Sequence, residues 1–225
     1  MLKVVIYSAL YGGYDNVPTV DRVKVRVPSG VQLRKLLFTD TDMEYPGWEV
    51  YHIPMPGVAN DMLRAKWWKL SPLDACPDAD VSIWIDASVT VTNPSFLGRC
   101  ISALGNDDWT LIPHPWRNCL YDEAAYCGET GMHNPAVMAL QAAYYQSLGY
   151  PTGAGLYAST VLVRRHTDAV ASACCSWWHD VTRWSTRDQV SLPVILREHP
   201  VPLNTRMRWC DGWTVGTHVG KRFTG

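Results

Sequence analysis

No apolar run in this chain approaches the ~18 residues needed to span a bilayer. The start, Met1-Leu2-Lys3-Val4-Val5-Ile6-Tyr7, has the pattern of a short strand and not of a signal peptide. Membrane insertion is therefore not expected. A strong charge of either sign is also missing. The formal net charge is −1 over 225 residues, so no global field draws the protein to nucleic acid or anionic lipid. That near-neutrality gives no indication of a nucleic-acid partner and does not exclude one. Among seven cysteines there is no CxxC pair, and Cys174 and Cys175 are adjacent. An odd, unpatterned set suits a reducing cytoplasm better than a disulfide scaffold. Internal repeats and low-complexity linkers are absent too, so a single domain is expected. With 47% hydrophobic and 18% charged residues it can bury a sizeable core.

What is present is an alternation of strand and helix patterns. Strands are expected at 4–9, 36–39, 48–53, 82–85, 109–112 and 157–163. Helices are expected from Asn60 or Asp61 to about Leu70, and at 95–104, 134–147 and 168–184, with Thr186 capping another. Such alternation indicates a mostly parallel sheet flanked by helices. From about Pro200 the chain reads as irregular.

The most informative stretch is Ser82-Ile83-Trp84-Ile85-Asp86-Ala87-Ser88-Val89-Thr90-Val91. A buried, β-branched run ends in a lone carboxylate, at the strand end where open α/β sheets place their ligands. Buried charges need partners or metals, so Asp86 is the leading metal-ligand candidate. Upstream, Arg64 and Lys66 lie on a helix that feeds this strand and can neutralise a diphosphate. Positions two apart on a helix do not share a face; Arg64 is the preferred phosphate ligand. Gly12 and Gly13 allow close backbone approach to a ligand, and Tyr7, Tyr11 or Tyr14 can stack on a base.

These pieces resemble a family. Arg-x-Lys followed by Ile-Trp-Ile-Asp looks like the donor half of a nucleotide-sugar glycosyltransferase of the GT-A (Rossmann-like) fold. Further pieces recur in order: Tyr7-Ser8-Ala9-Leu10-Tyr11-Gly12-Gly13-Tyr14-Asp15, Phe38-Thr39-Asp40, His114-Pro115-x-Arg117-x-Cys119-x-Tyr121-x-Glu123-Ala124, and Trp177-Trp178 before Arg187-Asp188-Gln189-Val190-Ser191. The set resembles the glycosyltransferase-like family known from plant turgor-regulation and mucilage proteins and also found in bacteria.

The resemblance implies a transfer of sugar from a nucleoside diphosphate, UDP foremost, to an acceptor hydroxyl. It divides the domain into a nucleotide-binding part at about 1–110, an acceptor and sugar part at about 111–200, and a closing segment at about 201–225. Tyr7, Ala9, Gly12, Tyr14 and Asp40 would meet the nucleoside, and Arg64, Lys66 and Lys221 the diphosphate. Asp86, Ser88 and His218 would hold Mn²⁺ or Mg²⁺. His218-Val219-Gly220-Lys221 resembles, at tighter spacing, the closing His-x-x-Gly-x-x-Lys-Pro-Trp motif of glycogenin-like retaining enzymes. Asp188 and Gln189 open a helix, where exposed amides favour anionic groups. In related retaining enzymes such a pair lies beneath the reacting sugar, Asp188 on its hydroxyls and Gln189 at the anomeric centre. His114, Arg117, Asp122 and Glu123 are expected on a polar loop walling the acceptor site.

Three rivals remain. A nucleotidyltransferase would use similar chemistry, but it carries a glycine-rich basic loop after the first strand, where this chain has Leu-Tyr-Gly-Gly-Tyr-Asp. A non-catalytic sugar-binding domain is favoured by Ser88 standing where a second carboxylate is common. His114, Cys119, Cys127 and His133 can also be read as zinc ligands, though their spacing matches no short knuckle. The acceptor can be a glycan, a protein, a small molecule or a hydroxylated DNA base.

Overall fold

The computed structural model of the protein describes residues 1–13, 22–42 and 44–216. Strands β1 (Leu2–Leu10), β2 (Val31–Thr39) and β3 (Glu49–His52) precede helices α1 (Asp61–Leu70) and α2 (Pro72–Ala75). Next come β4 (Val81–Ile85), β5 (Val89–Val91), α3 (Phe96–Leu104), β6 (Trp109–Pro113), α4 (Leu120–Glu129) and α5 (Pro135–Ser147). The chain then runs through β7 (Tyr157–Arg165), α6 (Asp168–Arg183), α7 (Asp188–Glu198), β8 (Leu203–Asn204) and β9 (Trp213–Val215).

Seven strands form one sheet in the order β3-β2-β1-β4-β7-β6-β8, while β5 and β9 make a separate pair. From β3 to β4 all pairings are parallel. Only β7 runs against its neighbours, and β8 is parallel to β6. The expected mostly parallel sheet is thus present, with one reversed strand inside it.

Strand alternation divides the core. Val5, Tyr7 and Ala9 of β1 point into the cluster built with α1, α2, α6 and α7. Val4 and Ile6 point into the opposite cluster, which holds α3 and Trp213. In β4, Ile83 and Ile85 join the second cluster and Trp84 the first. Asp86 continues the period of Trp84 and so turns toward α1.

Local chemistry explains the helix starts. Asn60 accepts from Leu63 N at 2.9 Å to open α1, and Asn134 accepts from Ala136 N at 2.9 Å before Pro135. Thr167 accepts from Val170 N to open α6. The expected Thr186 cap is not made. Arg187 is the N-cap residue of α7 and its side chain makes no cap bond, because a guanidinium has only donors to offer; it binds Glu123 instead. Two other expectations need correction. The loop expected to carry Asp122 and Glu123 is the first turn of α4. The segment after Pro200 contributes β8 and β9, with Trp213 fully buried in the core.

Candidate functional site

The reversal at β7 brings the site together. Ile85 at the end of β4 pairs with Val161, and Pro113 at the end of β6 pairs with Tyr157. The carboxyl ends of β1, β2, β4 and β6 therefore open on one edge of the sheet, with the start of β7 between the last two.

Asp86 stands at that edge with its side chain about one-third exposed. Its Oδ1 accepts from Trp84 Nε1 at 2.7 Å and from Lys69 Nζ at 3.2 Å. The Lys69 ammonium is almost wholly buried and lies 2.8 Å from Asp188 Oδ2. Lys66 Nζ is also 2.8 Å from that oxygen, and Ser159 Oγ donates to Asp188 Oδ1 at 3.0 Å. Two lysines and two aspartates thus form a neutral, buried network, as burial of charge requires. Burial alone would raise the Asp188 pKa, but Lys66 and Lys69 outweigh it and hold the carboxyl far below its usual range. Burial lowers Lys66, whereas Asp188 and Asp86 outweigh burial at Lys69 and raise it.

A second cluster adjoins the first through consecutive residues. Glu123 is fully buried, and Arg187 Nη2 donates to it at 2.6 Å while Arg117 Nε holds its other oxygen. Against burial, the two arginines keep Glu123 below the ordinary carboxylate range. One positive charge is left over, and both guanidinium groups are in part exposed. His133 is pushed down to about 4, first by burial and then by Arg187 and Lys66, so it is neutral near pH 7.

The donor side is built differently. Gly12 N donates to Asp40 Oδ2 at 3.0 Å. Gly12 has φ +65°, and a Cβ there would meet Asp61 Oδ2 at 2.0 Å, so only glycine fits. Arg64 Nη1 donates to the same Asp61 at 2.7 Å. Nearby, a shallow cleft is lined by Ser8, Arg22, Leu37, Tyr45, Trp48, Asp86 and Ala87, among others. Ser8 Oγ is buried there without a hydrogen-bond partner.

Asp86, Lys66, Asp188 and Gln189 are brought together, and so are His114, Arg117 and Glu123. Several expected roles change in the process. Tyr7 is wholly buried with its hydroxyl held by Arg164, so it offers no ring to a base. Ala9 is buried core as well. Both oxygens of Asp188 are engaged within the protein, so it positions lysines and does not reach sugar hydroxyls. Glu123, sealed beneath two arginines, likewise does not face an acceptor, whereas Asp122 is exposed. Gln189 is buried and its Oε1 has no hydrogen-bond partner. Ser88 is buried beside Asp86. Its carbonyl accepts from Gly216 N at 2.8 Å. Tyr14, His218 and Lys221 lie outside the described residues. Among the described residues no three of His, Cys, Asp and Glu gather as metal ligands, the zinc set included. Lys69 and Ser159 were missed. Lys69 lies three residues after Lys66, the spacing that shares a helix face, and that was the available signal.

The fold belongs to the glycosyltransferases. The chain superposes on the apo bifunctional glycosyltransferase WbbM with a TM-score of 0.53 at 11% identity, over 91% of this chain and 38% of that one. It therefore spans well under half of WbbM. A glycosyltransferase involved in glycosylation of the major capsid of PBCV-1 is similar over 92% of this chain and 82% of its own, at 12% identity and a TM-score of 0.47. No curated protein matches this chain in sequence. The family is shown by a sequence model: residues 57–208 match the TOD1/MUCI70 glycosyltransferase-like domain. The protein belongs to that family.

Proposed function

We propose that the protein transfers a sugar from a nucleoside-diphosphate donor, UDP-linked, to an acceptor hydroxyl with retention of configuration. The observation that carries this reading is Asp86. It is a partly exposed carboxylate at the end of a central strand, beside a shallow cleft and above a buried lysine pair. The cleft walls carry Trp48, Tyr45, Arg22 and the unpartnered Ser8 hydroxyl, groups that can stack on a base and hold a ribose. Arg64 is the cation for the diphosphate, sharing itself with Asp61.

Asp86 offers a metal-binding carboxylate at the end of the central strand, and its Oδ1 accepts two N–H donors. That donor set fits Mg²⁺ or Mn²⁺ held through one carboxylate, with substrate oxygens and water completing the shell. The resemblance supports His218 as a further ligand and Lys221 as a partner of the phosphates, both outside the described residues. When bound, the cation would neutralise charge on the departing diphosphate.

The bond from the anomeric carbon to the diphosphate oxygen breaks, and a bond to the acceptor oxygen forms on the same face. The acceptor proton passes to the leaving diphosphate. Gln189 Oε1 serves the anomeric centre, and the excess charge of Arg117 and Arg187 faces the anionic donor. Asp188 acts through the lysines that it fixes.

Thermal denaturation with a panel of nucleotide sugars, with and without Mn²⁺, tests the donor class. One sugar at about a hundredfold its dissociation constant stabilises by about 2.7 kcal/mol. No shift with any donor, with or without metal, defeats the proposal. NMR of the first product reads the anomeric configuration, and an inverted product defeats retention.

A further inference from the structure

The loop between β6 and α4 carries a feature that donor chemistry does not use. Trp116 is 72% exposed, the most exposed aromatic side chain among the described residues. An indole left in water keeps a large apolar face on which a ligand can bury area. The residue is not loosely held. Its N–H and that of Arg117 both donate to His114 Nδ1, at 3.4 and 3.1 Å. The Trp116 ring stands edge-on to His114 at 5.6 Å and 5.9 Å from Trp209, which in turn meets Trp213 at 4.9 Å. Trp213 is fully buried and sits on β9, paired with Val91 of the strand that follows Asp86. A series of edge-on and tilted aromatic contacts therefore ties the exposed indole to the core beneath β5. The indole lies on the same edge of the sheet as the proposed chemistry.

Resting on the transfer reading above, we propose that Trp116 is the stacking platform for a sugar ring of the acceptor, so that the acceptor is itself a carbohydrate. A pyranose has one face of C–H groups, which are weakly positive and match the negative face of an indole. Its rim of hydroxyls meets water and the polar groups of the same loop, the partly exposed Arg117 and the exposed Asn118. A nucleobase would also stack, but the nucleoside already has the cleft lined by Ser8, Tyr45 and Trp48. The chain's net charge of −1 gives a neutral glycan no electrostatic barrier. Fixing the ring in advance lowers the entropy cost of binding.

Ligand-observed saturation-transfer NMR on the full chain tests this, with neutral tetrasaccharides built on glucose, galactose, mannose or xylose. At least one should bind, with its strongest contacts on the C–H face of one ring. Trp116→Ala should weaken that binding about tenfold and Trp116→Tyr should largely restore it, while nucleotide-sugar thermal shifts stay the same in both variants. Absence of saccharide binding by the wild-type chain overturns the platform, as does equal binding by Trp116→Ala. The donor reading is measured separately. Saccharide binding through Trp116 without any nucleotide-sugar shift defeats the transfer reading and leaves the platform standing.

Discussion

Asp86 and Lys69 share one hydrogen bond and yet should respond oppositely to substitution. Asp86 is a third exposed, so its bond to Lys69 contributes little to stability, as for partly solvated ion pairs generally. Asp86→Asn should change stability by less than about 1 kcal/mol, while lowering turnover about a hundredfold through loss of the anionic contact in the site. Turnover above about a tenth of wild type, measured at saturating donor, would remove Asp86 from its proposed role. Lys69 is buried and lies between two carboxylates. Lys69→Met removes a buried ammonium that bonds both carboxylates; Asp188 keeps Lys66 and the partly exposed Asp86 is left to water, so the cost is about 1–3 kcal/mol. Urea unfolding reads that cost, and a loss below about 1 kcal/mol would show that the network is not a stability element. One further side chain supports the network from behind. Buried Arg164 Nη2 donates to Lys69 O at 2.8 Å, a guanidinium placed at the negative end of α1.

At the scale of elements, α4 and α7 are joined through Glu123, which takes Arg117 from the loop before α4 and Arg187 from the start of α7. Because Arg187 precedes Asp188, this clamp also sets the first turn of α7 against Lys66. Glu123→Gln keeps the shape but leaves two partly exposed guanidinium groups without their shared counter-charge. It should cost about 3 kcal/mol and also lower donor-dependent turnover, which a conservative surface change would not do. Full stability in thermal denaturation would argue that the arginines find water instead. The sequence showed α1, α5, α6 and the central strands clearly, since Asn60, Asn134-Pro135 and the Val/Ile runs act locally. It did not show α4, whose first turn is rich in polar side chains that face Arg187 across the fold. Nor did it show β9, where Trp213 is buried through pairing with a strand over a hundred residues earlier. The positions of Asp86 after a central strand and of Gln189 at a helix start were legible because strand ends and helix starts are local features. The core placement of Tyr7 was not, since it depends on Arg164 from a strand that is not its neighbour in the sheet.

Over the whole molecule, protonation ties these clusters to stability. Burial, Arg187 and Lys66 push His133 down to about 4, while burial and Arg164 push His166 to about 4. Both rings are neutral in the fold and ordinarily titrate near 6.5. As pH falls through 6.5 the unfolded chain takes up protons that the folded chain refuses, so stability declines. The decline from these two groups ends near pH 4, where the folded rings also charge. Its slope is about 1 kcal/mol per pH unit for each ring at most, reduced because both are partly exposed. The carboxylates act in the next window. Asp188 and Glu123 have depressed folded values, so their contribution is complete above the ordinary carboxylate range and is lost as pH falls through those lower values. The melting temperature should therefore hold above pH 7, fall between 6.5 and 4, and fall again below 4. His133→Asn removes one titrating ring and should flatten the first descent without moving the second. A melting temperature unchanged between pH 7 and 5 in the wild-type protein would show that both histidines reach solvent freely, and the packing of His133 between the Asp188 and Glu123 clusters would be wrong.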